Sequence, residues 1–203
     1  MKEYPRGKHI FKFILVGDAS TGKTSFTRSI NNEDYTNYYN PTLGVDFVIK
    51  LLKSRCGLDV KCYIWDTAGQ EQYNSITRTY FKGCCAAILM FDTSDLVSFN
   101  NLDKWIELIE NEGKNIKIIL VGNKIDKKRV INNQIALDYA NQHNMQYFEI
   151  SSNDINSCNN VIENLVEEMM IKYVRPGKYH EGITYKSTLL DNAETKRNCC
   201  SIS

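Results

Sequence analysis

The chain has 203 residues, enough for one sizeable core and a tail but short for two ordinary domains. Apolar residues make up 42% and charged residues 24%, while 25 Lys and Arg nearly cancel 24 Asp and Glu; the net charge of +1 offers no footprint for a nucleic acid. The longest apolar run, 84–91, is eight residues, well short of the roughly 18 that a membrane helix needs.

In chain order, residues 1–8 hold no apolar signal-peptide stretch, and Lys2 excludes N-myristoylation; they are expected to be an extension ahead of a domain over 9–175. HIFKFILV predicts a buried strand, followed by the loop GDASTGKT and a helix in which Phe26 and Ile30 share a face. VDFVIKLLK and LDVKCYIWD, separated only by the turn-like SRCG, predict an antiparallel hairpin. Apolar runs and helical patterns then alternate: CCAAILMFD before a helix over 96–112, IKIILVG before one over 132–143, and MQYFEI before one over 157–174. In the last, Val161, Leu165, Met169 and Tyr173 form one apolar stripe with Ile162 and Val166 beside it. This alternation predicts an α/β fold in three layers, with a six-stranded mixed sheet, five strands parallel and one antiparallel at an edge, and helices on both faces. Arg175-Pro176-Gly177 stops the last helix, and 176–203 lose apolar periodicity, as in a flexible tail.

The seven cysteines are odd in number and two close the chain as Cys199-Cys200, which points to a reducing compartment, cytosolic or facing the cytosol. Cys56, Cys62, Cys84, Cys85 and Cys158 have no zinc-site spacing and read as small buried residues. His9, His143 and His180 have no neighbours in sequence that suggest catalysis.

A strand, then G-x-x-x-x-G-K-T, then a helix is the layout of a phosphate cradle. Gly17 and Gly22 permit backbone conformations closed to other residues, so the amides of Asp18, Ala19, Ser20, Thr21 and Ser25 can converge with theirs on phosphate oxygens. Lys23 brings a point charge to the β- and γ-phosphates, and the Thr24 hydroxyl can ligate Mg²⁺. The alternative, a merely flexible loop, does not explain its position between strand and helix.

NKID follows the strand IKIILVG and so falls at the carboxyl edge of the sheet, where folds of this class bind ligands. A carboxylate there, Asp126, accepts hydrogen bonds from the guanine ring N–H and exocyclic amine, whereas adenine meets it with a lone pair. Alone, NKID is a commonplace polar turn; its place downstream of a phosphate loop gives it meaning. In WDTAGQE, Asp66 ends a strand and suits Mg²⁺ through water, Gly69 allows an amide to approach a γ-phosphate, and Gln70 can orient an attacking water. Thr42, on the stretch YYNPTLGVDF, can complete the metal shell when the γ-phosphate is present.

The motifs GDASTGKT, WDTAGQ and NKID, in this order, resemble those of small GTPases of the Ras superfamily, over about 9–175. LGVDF, KCYIWDTAGQ, YFKGC, LMFDTS and SFNNLDKW resemble segments of the Rab family in particular. The resemblance implies a P-loop GTPase domain and a switch that binds and hydrolyses GTP in vesicle and membrane traffic. It implies that Tyr35 packs on guanine, that Lys124 braces the base and the phosphate loop, that Ser151 and Ser152 face guanine O6 through backbone amides, and that Asn123 and Asn153 belong to the nucleotide site. Phe47, Trp65 and Tyr80 match an effector-docking aromatic cluster, with core packing as the plain alternative. An exchange factor, a GTPase-activating protein, an escort protein or GDP-dissociation inhibitor, and effectors are the implied partners of a monomeric core.

Departures from the family are Ala19 and Ser20 at the loop tip, Ile150 for a usual threonine, Asn153 for a usual lysine, Asn40-Pro41 before Thr42, and Gln72 for an arginine. Ala19, Ser20 and the altered EISSN loop raise the alternative of a nucleotide-binding adaptor with little hydrolysis. A P-loop enzyme with another substrate, such as a nucleotide kinase, is disfavoured by NKID and WDTAGQ together. The ending NCCSIS resembles a Rab tail carrying two geranylgeranyl groups on Cys199 and Cys200, though read strictly it is also a box for one farnesyl. Each buried CH₂ adds about 0.8 kcal/mol, so two chains hold the cytoplasmic face of an intracellular membrane where one is marginal, leaving the protein to cycle with the cytosol. Lys178, Lys186, Lys196 and Arg197 are offset by Glu181, Asp191 and Glu194, so no polybasic signal assists.

Overall fold

The computed structural model describes residues 9–31, 45–55, 57–67, 80–113 and 115–173. Tyr35, Thr42, Gly69, Gln70, Cys199 and Cys200, together with the expected extension and tail, lie outside the described residues.

The described elements are β1 (His9–Val16), α1 (Lys23–Ile30), β2 (Val45–Lys53), β3 (Asp59–Thr67), β4 (Ala86–Asp92), α2 (Leu96–Asn100), α3 (Leu102–Glu112), β5 (Lys117–Asn123), α4 (Asn133–Gln142), β6 (Gln146–Glu149) and α5 (Ile155–Tyr173). The strands form one six-stranded sheet in the order β2-β3-β1-β4-β5-β6. β2 runs antiparallel to β3 at the edge, and every other pairing is parallel. From β1 the chain passes to one side of the sheet and from β3 it crosses back to the other. This places the carboxyl end of β1 at a topological switch point, where such sheets open a crevice.

Both faces are covered, which is why the central strands are apolar along their whole length. On one face Phe11, Phe13, Leu15, Ile64, Ile88 and Met90 pack with Phe26 and Ile30 of α1 and with Val161, Leu165, Val166 and Met169 of α5. On the other, Ile14, Leu89, Phe91 and Leu120 pack with Trp105, Ile106 and Ile109 of α3 and Ala136 and Ala140 of α4. Every residue of β4 is buried, because it lies between these two layers.

Two helix expectations need correction. The single helix over 96–112 is two, α2 and α3, meeting at Asn101. An asparagine inside a helix offers its side chain to other partners, and Asn101 donates to Asp18 Oδ2 at 2.7 Å and accepts from Lys104 at 2.9 Å. The last helix starts at Ile155 rather than 157, because Asp154 Oδ1 accepts from the Asn156 amide at 3.0 Å and caps it.

Candidate functional site

The phosphate-type loop leaves β1 through a backbone that few residue types tolerate. Gly17 has φ 136° and Gly22 φ 99°, and Ser20 takes the left-handed region at φ 63° without being glycine. Space is as restrictive as conformation. A Cβ on Gly17 would lie 2.1 Å from the Met90 carbonyl oxygen, and one on Gly22 would lie 2.1 Å from Asn123 Nδ2. The glycines therefore let the loop close onto β4 and onto the last residue of β5, a requirement that the sequence motif does not reveal.

Lys23 opens α1 and is only 4% exposed. Its Nζ turns back across the loop and donates to the Gly17 and Asp18 carbonyl oxygens at 2.7 and 2.9 Å. Thr21 Oγ1 donates to the same Asp18 oxygen at 2.9 Å, closing the frame. Ala19 and Ser20 are exposed at its tip, and Ser25 is half-buried in the first turn of α1. The parallel register of β1 and β3 sets Leu15 beside Asp66. Asp66 is thereby carried to the mouth of the loop, where Thr24 Oγ1 donates to its Oδ2 at 2.6 Å. A hydroxyl and a carboxylate oxygen so close are the hard oxygen donors Mg²⁺ prefers.

The base-type side is built from side chains. Asn123 ends β5 fully buried; its Nδ2 donates to the Thr21 carbonyl at 2.8 Å, and its Oδ1 accepts from the Ser152 amide and hydroxyl, each at 3.0 Å. Lys124, at φ 63°, donates to the Ser20 carbonyl at 2.5 Å and pairs with Asp92 Oδ2 at 2.7 Å. Burial alone would raise the Asp92 pKa; hydrogen bonds from Lys124 and Ser94 outweigh it and hold that carboxyl below its ordinary value. The exposed Asp126 accepts from Ser151 Oγ at 2.5 Å, and the same hydroxyl oxygen accepts from the Asn153 amide at 3.3 Å. Segments 17–24, 66, 123–126 and 151–153 thus meet at one end of the sheet.

Beneath the base-type loops lies a brace that sequence reasoning missed. Arg129 grips Glu149 with two hydrogen bonds, at 2.5 and 2.9 Å, and Tyr147 Oη donates to the same carboxylate at 2.7 Å. Glu149 is held below its ordinary pKa: burial pushes it up, but bonds from Arg129, Tyr147 and Asn133 prevail. Gly122 was the available signal, a glycine inside a strand, since a Cβ there would come within 2.7 Å of Tyr147 Oη.

Phe47, Trp65 and Tyr80 form one aromatic strip on the β2–β3 side. The Phe47 and Trp65 rings stack at 5.4 Å as register partners, Tyr80 sits 6.0 Å beyond, and Lys12 Nζ lies 4.4 Å from the Trp65 ring. Phe47 is 47% exposed, so core packing does not account for it. Among the described residues the thiols are shielded by contrast: Cys62, Cys85 and Cys158 are buried and Cys84 half-buried, and burial pushes Cys84 and Cys85 up to about 12.

The sequence model of the Ras family matches residues 12–171. The chain is similar to the Ras-related protein Rab-13 of Canis lupus familiaris, at 33% identity over 167 residues, covering 81% of this chain and 82% of that protein. It is similar to Rab-11B of Dictyostelium discoideum, at 38% over 160 residues (77% and 72%), and to the GTP-binding protein ypt1 of Schizosaccharomyces pombe, at 36% over 153 residues (74% and 75%). Among the described residues no helix is long and apolar enough to cross a membrane. With a fold of six strands around a phosphate-type loop and a family match over most of its length, this chain belongs to the Ras family, as a Rab-type small GTPase that binds GTP and GDP and hydrolyses GTP.

Proposed function

We propose that the cluster at the carboxyl edge of the sheet is the guanine-nucleotide site of a switch acting in vesicle and membrane traffic. The observation that carries this reading is the convergence of Lys23, the Thr24–Asp66 pair and the Asn123–Ser151–Asp126 group from distant parts of the chain. The amides of 18–25 cradle the phosphates, and Lys23, aimed by the Gly17 and Asp18 carbonyl oxygens, brings its charge to the β- and γ-phosphate oxygens. Asp126 accepts from the guanine N–H groups, Ser151 and Ser152 hold the loop that faces O6 with Asn153 at its turn, Lys124 lies along the base, and Tyr35 packs against it. Thr24, Asp66 (through water) and Thr42 are the residues that would hold Mg²⁺, and their ion would supply the positive charge that offsets the charge developing on the transferred phosphate.

Gln70 orients the attacking water and the Gly69 amide contacts the γ-phosphate. Loss of that phosphate releases Thr42 and Gly69, and the segments around them relax. Phe47, Trp65 and Tyr80 then present a different surface to effectors. An activating protein supplies the positive charge that speeds turnover. An exchange factor reloads GTP, and an escort protein or GDP-dissociation inhibitor carries the form prenylated at Cys199 and Cys200 between cytosol and membrane.

Denaturing the purified protein and identifying the released nucleotide tests the reading directly: GDP or GTP is expected, and ATP or no nucleotide overturns it. Replacing Asp126→Asn should lower the preference for guanine over xanthine nucleotides by at least about 100-fold, because the amide offers a donor where the carboxylate only accepted. An unchanged preference removes Asp126 from base recognition.

A further inference from the structure

Asp18 belongs to the phosphate loop by its backbone and to another layer by its side chain. Its carbonyl oxygen accepts from Lys23 Nζ and from Thr21 Oγ1, each at 2.9 Å, and so helps aim the lysine. Its carboxylate is taken up by the α2–α3 corner, with Oδ1 accepting from Trp105 Nε1 at 2.8 Å and Oδ2 from Asn101 Nδ2 at 2.7 Å. Lys104 Nζ donates to Asn101 Oδ1 at 2.9 Å; since an ammonium can only donate, this bond settles which end of the amide faces Asp18. Trp105 is 7% exposed and packed among Ile14, Phe81 and Leu89, so its indole cannot follow a loop that moves. The helix breaks at Asn101, the residue that reaches the loop.

We propose that Trp105 and Asn101 are positioning residues for the nucleotide phosphates. Acting through the Asp18 carboxylate, they hold the Asp18 carbonyl where it aims Lys23, so that affinity for a β-phosphate depends on two side chains that touch no ligand. The proposal rests on the reading of 17–24 as a phosphate cradle. Hydrogen bonds to a charged acceptor are the strong ones, and a rigid donor on a packed helix loses little freedom in making one.

The test compares GDP with GMP, because only GDP carries the β-phosphate that Lys23 would meet. Trp105→Phe keeps a buried ring and removes the N–H. In the full chain it should lower the ratio of GDP to GMP affinity about tenfold, and Asn101→Ala should lower it about threefold. In an Asp18→Ala background neither substitution should change the ratio further, since the carboxylate through which they act is gone. A spectroscopic readout accompanies this. The chain has two tryptophans, so the indole N–H resonance of Trp105 is separable from that of Trp65, and it should shift in Asp18→Ala.

An unchanged ratio in Trp105→Phe, an equal loss of GDP and GMP, or the same effect in the Asp18→Ala background overturns the proposal. Should Trp105→Phe fail to fold, Asn101→Ala in both backgrounds decides by the same criteria. Wild-type protein that binds no guanine nucleotide would sink the cradle reading itself; wild-type binding with unaltered variants sinks only this inference.

Discussion

Loop 17–22 takes its shape from its backbone, whereas loops 123–126 and 151–153 take theirs from side chains. In the first, three residues hold positive φ and two glycines press against neighbouring atoms. In the second, Asn123, Lys124 and Ser152 spend their polar atoms on one another, on the first loop and on Asp92, and the Ser151 hydroxyl joins Asp126 to the Asn153 amide. The difference has a consequence for tolerance to change. A backbone-built loop fails abruptly when a Cβ is added, while a side-chain network loses one bond at a time and readjusts.

Glycine substitutions on the two sides should therefore behave differently, and the largest effect belongs to Gly17→Ala. Its Cβ would meet the Met90 backbone, which cannot swing aside, at a φ that side chains rarely adopt. The expected result is a loss of about 4 kcal/mol or more, seen as failure to retain nucleotide and a collapse in thermal stability. Gly122→Ala on the base side meets the Tyr147 hydroxyl instead, the end of a side chain. A cost of about 1–3 kcal/mol in denaturant unfolding is expected there, and equal costs at the two positions would erase the comparison.

Asn123→Ala tests the joint between the two sides, because it strips partners from the Thr21 carbonyl and from Ser152 together. We expect about 2–4 kcal/mol, with faster GDP release and a weaker guanine preference appearing in the same variant. If release rises while base preference stays intact, Asn123 serves the phosphate loop alone.

Glu149→Gln probes the brace beneath the base-side loops and should cost about 1–2 kcal/mol near neutral pH. The folded-state pKa of Glu149 is depressed below its ordinary 4.5, so its contribution is present above 4.5 and lost as pH falls through the depressed value. Wild-type and variant stabilities, followed by urea unfolding from pH 7 downward, should accordingly converge in acid; a constant gap would mean that the carboxylate charge contributes nothing. The smallest effect is expected from Asn153→Lys, which restores the family's usual residue at an exposed position. Stability should stay within about 0.5 kcal/mol, with GDP release slowed by no more than a few-fold.

Much of this architecture was legible in advance, and the exceptions share a cause. The strands were readable because a central strand covered on both faces must be apolar throughout, as β4 is. The hairpin of β2 and β3 followed from a connection too short to cross over. Lys23, Thr24, Asp66 and Asp126 could be singled out because each sits in a short motif at a strand end. The helix break at Asn101, the grip on Asp18, and the Arg129–Glu149–Tyr147 brace could not, since each is a contact between residues remote in the chain and ordinary in their local setting.

The sequence by itself determined the alternation of strands and helices, the glycine-lined loop and the family, because these depend on periodicity, turn chemistry and residue order within a few positions of each other. Only the tertiary structure decided which side chains support those motifs. A hydrogen bond between Asp18 and Trp105 costs no local propensity and leaves no periodic trace; it exists because the sheet order brings the end of β1 beside the helix layer that α3 forms.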